Sequence, residues 1–124
     1  MQPWLFFGTD GSGSDDYKKL LRLGTLMAFG SDASITDFNP LLGIYAAVTG
    51  KGAISVEQAV SAYTIGSAYA EFQAKSKGTI EVGKLADLVI LSDDIFSINT
   101  SKIRSVRVET TVMGGKVVYQ QDQL

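Results

Sequence analysis

Residues 27–33 read Met27-Ala28-Phe29-Gly30-Ser31-Asp32-Ala33. With Thr25 and Leu26 before it, the run that ends at Phe29 predicts a short buried strand, because brief apolar runs closed by glycine are typical of strands covered on both faces. Asp32 follows just beyond the strand end. An aspartate after Gly-Ser commonly stabilises a turn through its side chain, so the residues alone favour a structural role for Asp32.

The composition fits one globular unit. The chain has 124 residues, of which 45% are apolar and 19% charged, a balance that predicts a packed core rather than disorder. Thirteen acidic and eleven basic side chains are interspersed and give a net charge of −2, so we expect no nucleic-acid partner. The longest apolar stretch, residues 41–48, is too short to span a membrane, and no membrane partner is expected.

Two residue types that often build metal and redox sites are missing. The sequence contains no histidine and no cysteine, which excludes disulfides, thiolate metal sites and a cysteine nucleophile. The lack of cysteine suits a reducing compartment, and residues 1–4 show no basic or apolar region of an export signal. We therefore expect a cytoplasmic protein.

Helical signals surround the predicted strand. A helix is predicted over residues 17–23, where Gly24 ends it. Another is predicted over residues 41–49, with Asn39 as its cap and Pro40 at its first position.

A third helix is predicted from the capping-box spacing of Ser55 and Gln58. Its closely packing face consists of Ala59, Ala62, Tyr63 and Gly66. After a bend near Thr64, the helix is expected to carry three further residues into the core, namely Ala68, Tyr69 and Phe72.

From residue 78 onward the spacing of apolar residues changes from the helical period of about 3.6 residues to the strand period of two residues. Residues 88–91 form a continuous apolar strand, and residues 106–112 alternate as a half-buried antiparallel strand does. Gly114-Gly115 allows the positive φ angles of a two-residue hairpin turn, after which residues 116–119 return. The predicted fold class is α+β, with units at residues 1–77 and 78–124, and the strand at residues 106–112 is expected to be an exposed edge.

A turn-rich loop occupies residues 8–16. It has the glycine spacing of a phosphate-binding loop, but no lysine follows Gly13. As a calcium loop beginning at Asp10, it carries Asp15 where glycine is needed and Leu21 where a bidentate glutamate is needed. We expect a surface loop that binds neither ligand.

Several segments together resemble the amidohydrolase superfamily, and within it amidohydrolase family 3, the branch around N-substituted formamide deformylase. The segments lie in the family's order and cover most of the chain. They are Gln2-Pro3, Phe29–Ala33, Asn39–Thr49, Ala62–Ala70, Gly83–Leu91 and Gly114–Tyr119. The Ser31-Asp32 strand end and the Gly83-Lys84-Leu85-Ala86-Asp87-Leu88-Val89 element are specific as a pair.

The resemblance implies a (β/α)₈ barrel, with a metal at the C-terminal ends of its strands, and a β-sandwich built from both chain termini. Relative to that family, this chain corresponds to the last strands and helices of the barrel followed by a small antiparallel β-sheet, half of the composite sandwich. The first six strands, which carry the histidine ligands, have no counterpart here. The resemblance thus implies the C-terminal part of a larger metal-dependent hydrolase that cleaves a non-peptide C–N bond in a small amide or formamide-like substrate.

For Asp32 the resemblance implies two roles, metal ligand and catalytic proton acceptor. The metal expected in the longer protein is zinc, which brings the pKa of a bound water near 7 so that a neighbouring carboxylate can take its proton. A zinc enzyme needs about three protein ligands. We therefore expect the isolated chain to hold no metal and to be inactive. Asp87 is expected to fix a turn, and Asp93-Asp94 to form a solvated strand exit.

An alternative interpretation is a non-catalytic structural or self-association module. A partial barrel and half a sandwich leave apolar faces and strand edges uncovered, and such surfaces are prone to association. We therefore expect the isolated chain to be a homo-oligomer, a dimer in the simplest case, with residues 106–112 as the pairing edge.

Overall fold

The computed structural model describes residues 5–8 and 17–121, and it has the predicted combination of helices with a small antiparallel sheet. Apart from Gly8, the loop of residues 8–16 lies outside the described residues. In chain order the elements are β1 Leu5–Gly8, α1 Tyr17–Arg22, β2 Met27–Gly30, α2 Pro40–Thr49, α3 Val56–Ser61, a π-helix Ala62–Gly66, α4 Ser67–Ala70, β3 Leu88–Leu91, a 3-10 helix Thr100–Ser105, β4 Val108–Met113 and β5 Lys116–Gln120.

Strand β2 is the buried strand that the sequence predicts. Met27, Ala28 and Phe29 are all buried, and the strand pairs in parallel with β1 from Leu5 opposite Met27 to Gly8 opposite Gly30. Parallel neighbours cannot be joined by a tight hairpin, and the connection between these two includes α1. The described chain therefore begins with a strand–helix–strand unit in which β2 is the second strand.

The core packs around the ring of Phe29. That ring centroid lies 5.3 Å from the ring of Tyr17 and 5.5 Å from the ring of Tyr63, in the tilted and edge-on geometries that aromatic pairs prefer. The cluster extends into the helices and the segment before β4, where its buried members are Leu41, Ile44, Ala47, Ile54, Ala59, Ala62, Ile95, Ile103 and Val106. Residues before and after position 77 therefore share one buried cluster.

The caps of α2 and α3 are as predicted. The Asn39 side chain accepts a hydrogen bond from the Leu41 N–H at 3.0 Å, with Pro40 at the first helical position. Ser55 and Gln58 form both bonds of a capping box, at 3.2 and 3.0 Å. A hydrogen bond from the Ser55 side chain lowers the pKa of the Glu57 carboxyl, as does the backbone N–H of Glu57. Because folding lowers this pKa, the stabilisation is present at neutral pH and is lost as the pH falls through the folded-state pKa.

Gly66 makes the closest approach between the helices and β2. A Cβ atom added at Gly66 would lie 2.1 Å from the carbonyl oxygen of Met27, a distance at which the atoms overlap. Ala59 and Ala62, the other small residues of this predicted face, are both buried, and the Tyr63 ring of the same face packs against Phe29 of β2. The predicted small-residue face is thus confirmed, and it lets the helix backbone lie directly on the strand.

The predicted continuation of this helix is correct in part. Ala68 is buried as expected, but Tyr69 is 47% exposed and Phe72 is 92% exposed, so the placement of these two rings in the core was wrong. The helix ends at Ala70, and Phe72 adopts a φ of 63°, which turns the chain away. The π-helix rotates the residues after it relative to a regular α-helix, and simple helical spacing does not foresee that rotation. Among the described residues, no helix combines the length and apolar character needed to cross a membrane.

The antiparallel sheet has the strand order β3-β4-β5. Gly114 and Gly115 have φ angles of 56° and 78°, the positive values predicted for the hairpin turn between β4 and β5. The expectation that residues 106–112 form an exposed edge was wrong, because β4 pairs with β3 on one side and with β5 on the other. Alternation along a strand reports which face is buried, whereas edge position depends on partners elsewhere in the chain.

We predict that Gly66→Ala lowers the free energy of unfolding of this chain by about 3 kcal/mol, since the new methyl group would force the π-helix away from the Met27 carbonyl. Denaturant unfolding followed by circular dichroism measures the loss. Gly30→Ala is the matched control, because a Cβ at Gly30 would meet no atom within 4 Å, and its effect should stay within about 0.5 kcal/mol. Equal effects of the two substitutions would contradict the close contact.

Candidate functional site

Asp32 lies two residues beyond the C-terminal end of β2. Its side chain is exposed, and its backbone has a φ of 48°, in the left-handed region. Aspartate occupies this region at lower cost than most residues with a Cβ atom, because its short polar side chain tolerates the crowding. The chain turn therefore presents a carboxylate at the edge of the molecule where a buried parallel strand ends.

The turn around Asp32 is held by backbone carbonyl groups. The Ile35 N–H donates a hydrogen bond to the carbonyl oxygen of Asp32 at 2.7 Å. The Thr36 hydroxyl donates to the carbonyl oxygen of Ser31. Within residues 5–8 and 17–121 the Asp32 carboxylate itself accepts no hydrogen bond, so the side-chain bond expected of a turn-stabilising aspartate is not made by any of these residues.

The other aspartates of the described ranges all have structural partners. Asp87 accepts a hydrogen bond from the Gly114 N–H at 2.7 Å, which ties the start of β3 to the hairpin turn 27 residues later. Asp37 accepts from the Asn39 N–H, Asp93 from the Ser92 hydroxyl and Asp94 from the Phe96 N–H. The prediction that Asp87 fixes a turn is confirmed, although the turn is distant in sequence. Among the described aspartates, Asp32 is thus the one whose carboxylate accepts no hydrogen bond from another described residue.

One contact near the site was not foreseen from the sequence. The Ser67 hydroxyl lies 2.8 Å from the carbonyl oxygen of Phe29, the last buried residue of β2. These two residues are 38 positions apart, and a lone serine in a helical pattern gives no signal of such a bond. The one helpful signal was the small-residue face. It indicates that the helix packs closely at Gly66, and Ser67 is the next residue.

The described residues do not complete a metal site. No group of three or more aspartate, glutamate, histidine or cysteine side chains is placed to hold a metal ion within the described ranges. A protein zinc site has about four ligands, or about three plus water, so Asp32 alone does not fit the requirement. Any metal centre that includes Asp32 would need ligands from outside the described part of the chain.

The surface of the described residues has cavities, and two of them lie away from Asp32. One of about 260 Å³ is at the opposite, N-terminal end of β2, between Thr25 and α3, and its lining is mostly apolar. Another of about 640 Å³ runs between residues 37–41 and the sheet, where Arg107 and Tyr119 line it. Neither is lined by the Asp32 carboxylate, so the candidate site is defined by the strand end rather than by a pocket.

In a comparison with models of known protein families, residues 6–119 match the model of the amidohydrolase family. The chain belongs to the amidohydrolase family. It is 36% identical over 118 residues to the protein YtcJ of Bacillus subtilis, with 85% of this chain and 22% of YtcJ covered. It is 32% identical to imidazolonepropionase of Kosmotoga olearia, with 84% and 26% covered. It is 25% identical to N-substituted formamide deformylase of Arthrobacter pascens, with 84% and 21% covered.

Solved structures agree with this membership. An amidohydrolase from Thermotoga maritima superposes with a TM-score of 0.70 at 26% identity. The match covers 84% of the 124-residue chain and 25% of the Thermotoga chain. A zinc-bound adenosine deaminase from Xanthomonas campestris superposes with a TM-score of 0.76 at 22% identity, with 95% and 32% covered, which shows a shared fold. The chain therefore spans between about a fifth and a third of the proteins it matches.

We predict that the 124-residue chain does not hold zinc tightly, because a single carboxylate cannot compete with water as a site of three or four ligands does. Metal analysis of the purified chain after dialysis against zinc chloride measures this. One tightly bound zinc per chain that is lost in the Asp32→Ala variant would contradict the prediction and would locate ligands outside the described ranges.

Proposed function

We propose that this chain is the C-terminal part of a longer metal-dependent amidohydrolase that hydrolyses a non-peptide C–N bond, in an amide or formamide-like small molecule. Family membership supports hydrolysis, and the relatives include an imidazolonepropionase and a formamide deformylase. The assignment of Asp32 rests on one observation: its carboxylate accepts no hydrogen bond from the described residues and follows the C-terminal end of a parallel strand. In barrels of parallel strands, chemistry is placed at these ends.

In this proposal Asp32 acts as a proton acceptor and a metal ligand. A water molecule adds to the substrate carbonyl carbon and gives a proton to the Asp32 carboxylate. Asp32 then returns that proton to the leaving nitrogen as the C–N bond breaks, so the residue is unchanged after one turnover. The remaining metal ligands would come from parts of the longer protein outside this chain, and zinc is the proposed metal because the structurally similar adenosine deaminase holds it.

The local structure suits such a role. The carboxylate is exposed and accepts no hydrogen bond from the described residues, so it can approach a substrate without first breaking one. The turn that carries it is fixed by the bonds of Ile35 and Thr36 to carbonyl groups. A fixed backbone with an available side chain is the arrangement expected of a group that must be held in place before the substrate arrives.

We predict that Asp32→Asn in the longer protein abolishes turnover of amide substrates, with a fall in kcat of at least about 1,000-fold, while the melting temperature changes by less than about 2 °C. The amide keeps the shape of the side chain but cannot accept the proton. Asp93→Asn is the matched control, since Asp93 is also exposed at a strand exit and bonds only to Ser92 within the described ranges. Full activity of Asp32→Asn would refute the catalytic role.

The alternative function, self-association without chemistry, is favoured by a different observation. The outer strand β5 is exposed along its whole length, and its residues Val117, Val118 and Tyr119 are about half accessible. On the other outer strand, Val89 and Ile90 are each 52% exposed. Since β4 is central, the edges available for pairing with a second copy are β3 and β5.

We expect the 124-residue chain to be a dimer at micromolar concentration, measured by light scattering. Val118→Lys should shift it toward monomer, because a lysine on an edge strand opposes strand pairing. Thr100→Lys, at an exposed position of the 3-10 helix, is the control that should leave the mass unchanged. A strict monomer would refute self-association of the isolated chain.

A further inference from the structure

Two consecutive residues of the helical segment contact the backbone of β2. Gly66 lies against the carbonyl oxygen of Met27, where an added Cβ would be 2.1 Å away, and the Ser67 hydroxyl lies 2.8 Å from the carbonyl oxygen of Phe29. Carbonyl groups two residues apart on a strand point to the same side. The pair Gly66-Ser67 therefore contacts one side of the strand from Met27 to Phe29, the segment that leads into Gly30, Ser31 and the Asp32 turn.

The π-helix shapes this contact. It occupies Ala62–Gly66, so Ser67 is the first residue after the widened turn. The Ser67 hydroxyl also lies 2.9 Å from the carbonyl oxygen of Ala62, within the π-helix. A hydroxyl has one proton to donate, so the two carbonyl oxygens share it. The side chain thus links the strand to the widened turn, a type of irregularity that occurs frequently at functional sites.

The position of the bond along the strand matters for Asp32. Phe29 is the last residue of β2 with a buried side chain, whereas Gly30 is exposed and has open space where a side chain would be. Only Gly30 and Ser31 separate Phe29 from Asp32, a span of about 10 Å at about 3.3 Å per residue. On the far side, the turn is fixed by the bonds of Ile35 and Thr36. Two side-chain bonds therefore hold the chain just before Asp32, that of Ser67 to the Phe29 carbonyl and that of Thr36 to the Ser31 carbonyl, and the Ser67 bond is the one that comes from the helical segment packed on β2.

We propose that Ser67 is a positioning residue for Asp32: its hydroxyl, held by the π-helix, fixes the end of β2 and so the place of the carboxylate. This inference rests on the proposed hydrolytic function. A displacement of about 1 Å of a reacting group can cost about 100-fold in rate. A purely structural Ser67 would instead stabilise the fold through its hydrogen bonds and leave the geometry of Asp32 unchanged.

The kinetic test uses the longer protein. Ser67→Ala should lower kcat by about 10- to 100-fold with KM changed less than about 3-fold, because the substrate still binds but the carboxylate is misplaced. Ser67→Thr, which restores the hydroxyl, should recover kcat to within about 3-fold of the natural protein. Ser76→Ala is the matched control, since it also removes a serine-to-carbonyl bond, to Gln73, and should leave kcat unchanged.

A second readout does not depend on activity. In the 124-residue chain, NMR order parameters of the Gly30, Ser31 and Asp32 amides should fall in Ser67→Ala and stay at their original values in Ser76→Ala. Unchanged order parameters, or a kcat of Ser67→Ala within about 2-fold of the natural value, would overturn the positioning role. If Asp32→Asn keeps full turnover, the proposed function itself fails. If Asp32→Asn is inactive while Ser67→Ala is fully active, only the positioning role fails.

Discussion

At Gly66 the backbone of the helical segment lies against the backbone of β2 with no side chain between them. Because Gly66 has no side chain, the helix lies directly on the Met27 carbonyl, and the rings of Tyr63 and Phe29 come into edge-on contact. The same approach brings Ser67 to the Phe29 carbonyl. Sheet, helix and aromatic core are thus fixed at one place, immediately before the turn that carries Asp32.

Within residues 5–8 and 17–121, the second half of the chain is joined to this centre by packing rather than by strand pairing. The sheet of β3, β4 and β5 is separate from the parallel pair of β1 and β2. Ile103 of the 3-10 helix and Val106 are nevertheless buried in the cluster formed around Phe29, and Arg104 lies over the ring of Tyr45 at 5.4 Å. Such cation–π contacts are modest at exposed sites, so the apolar packing of Ile103 provides most of the attachment.

Much of the local structure could be read from the sequence because its signals are local. The Asn39 cap of α2, the capping box of α3, the glycines of the hairpin and the buried run of β2 are specified by residues within a few positions of one another. The edge assignment of β4 and the burial of Tyr69 and Phe72 were wrong because both depend on distant partners and on the π-helix. For the site, the sequence located Asp32 beside a strand end. It gave no indication that Ser67 bonds to that strand, or that the turn would leave the carboxylate without a described partner.

The left-handed backbone at Asp32 also bears on how this position can change during evolution. With a φ of 48°, the site accepts asparagine and glycine without added strain, whereas β-branched residues would be costly there. Asparagine and glycine both lack an ionisable group. Either residue could therefore replace Asp32 in a related protein without a change in the backbone. A protein that lost the carboxylate in this way would keep the same fold.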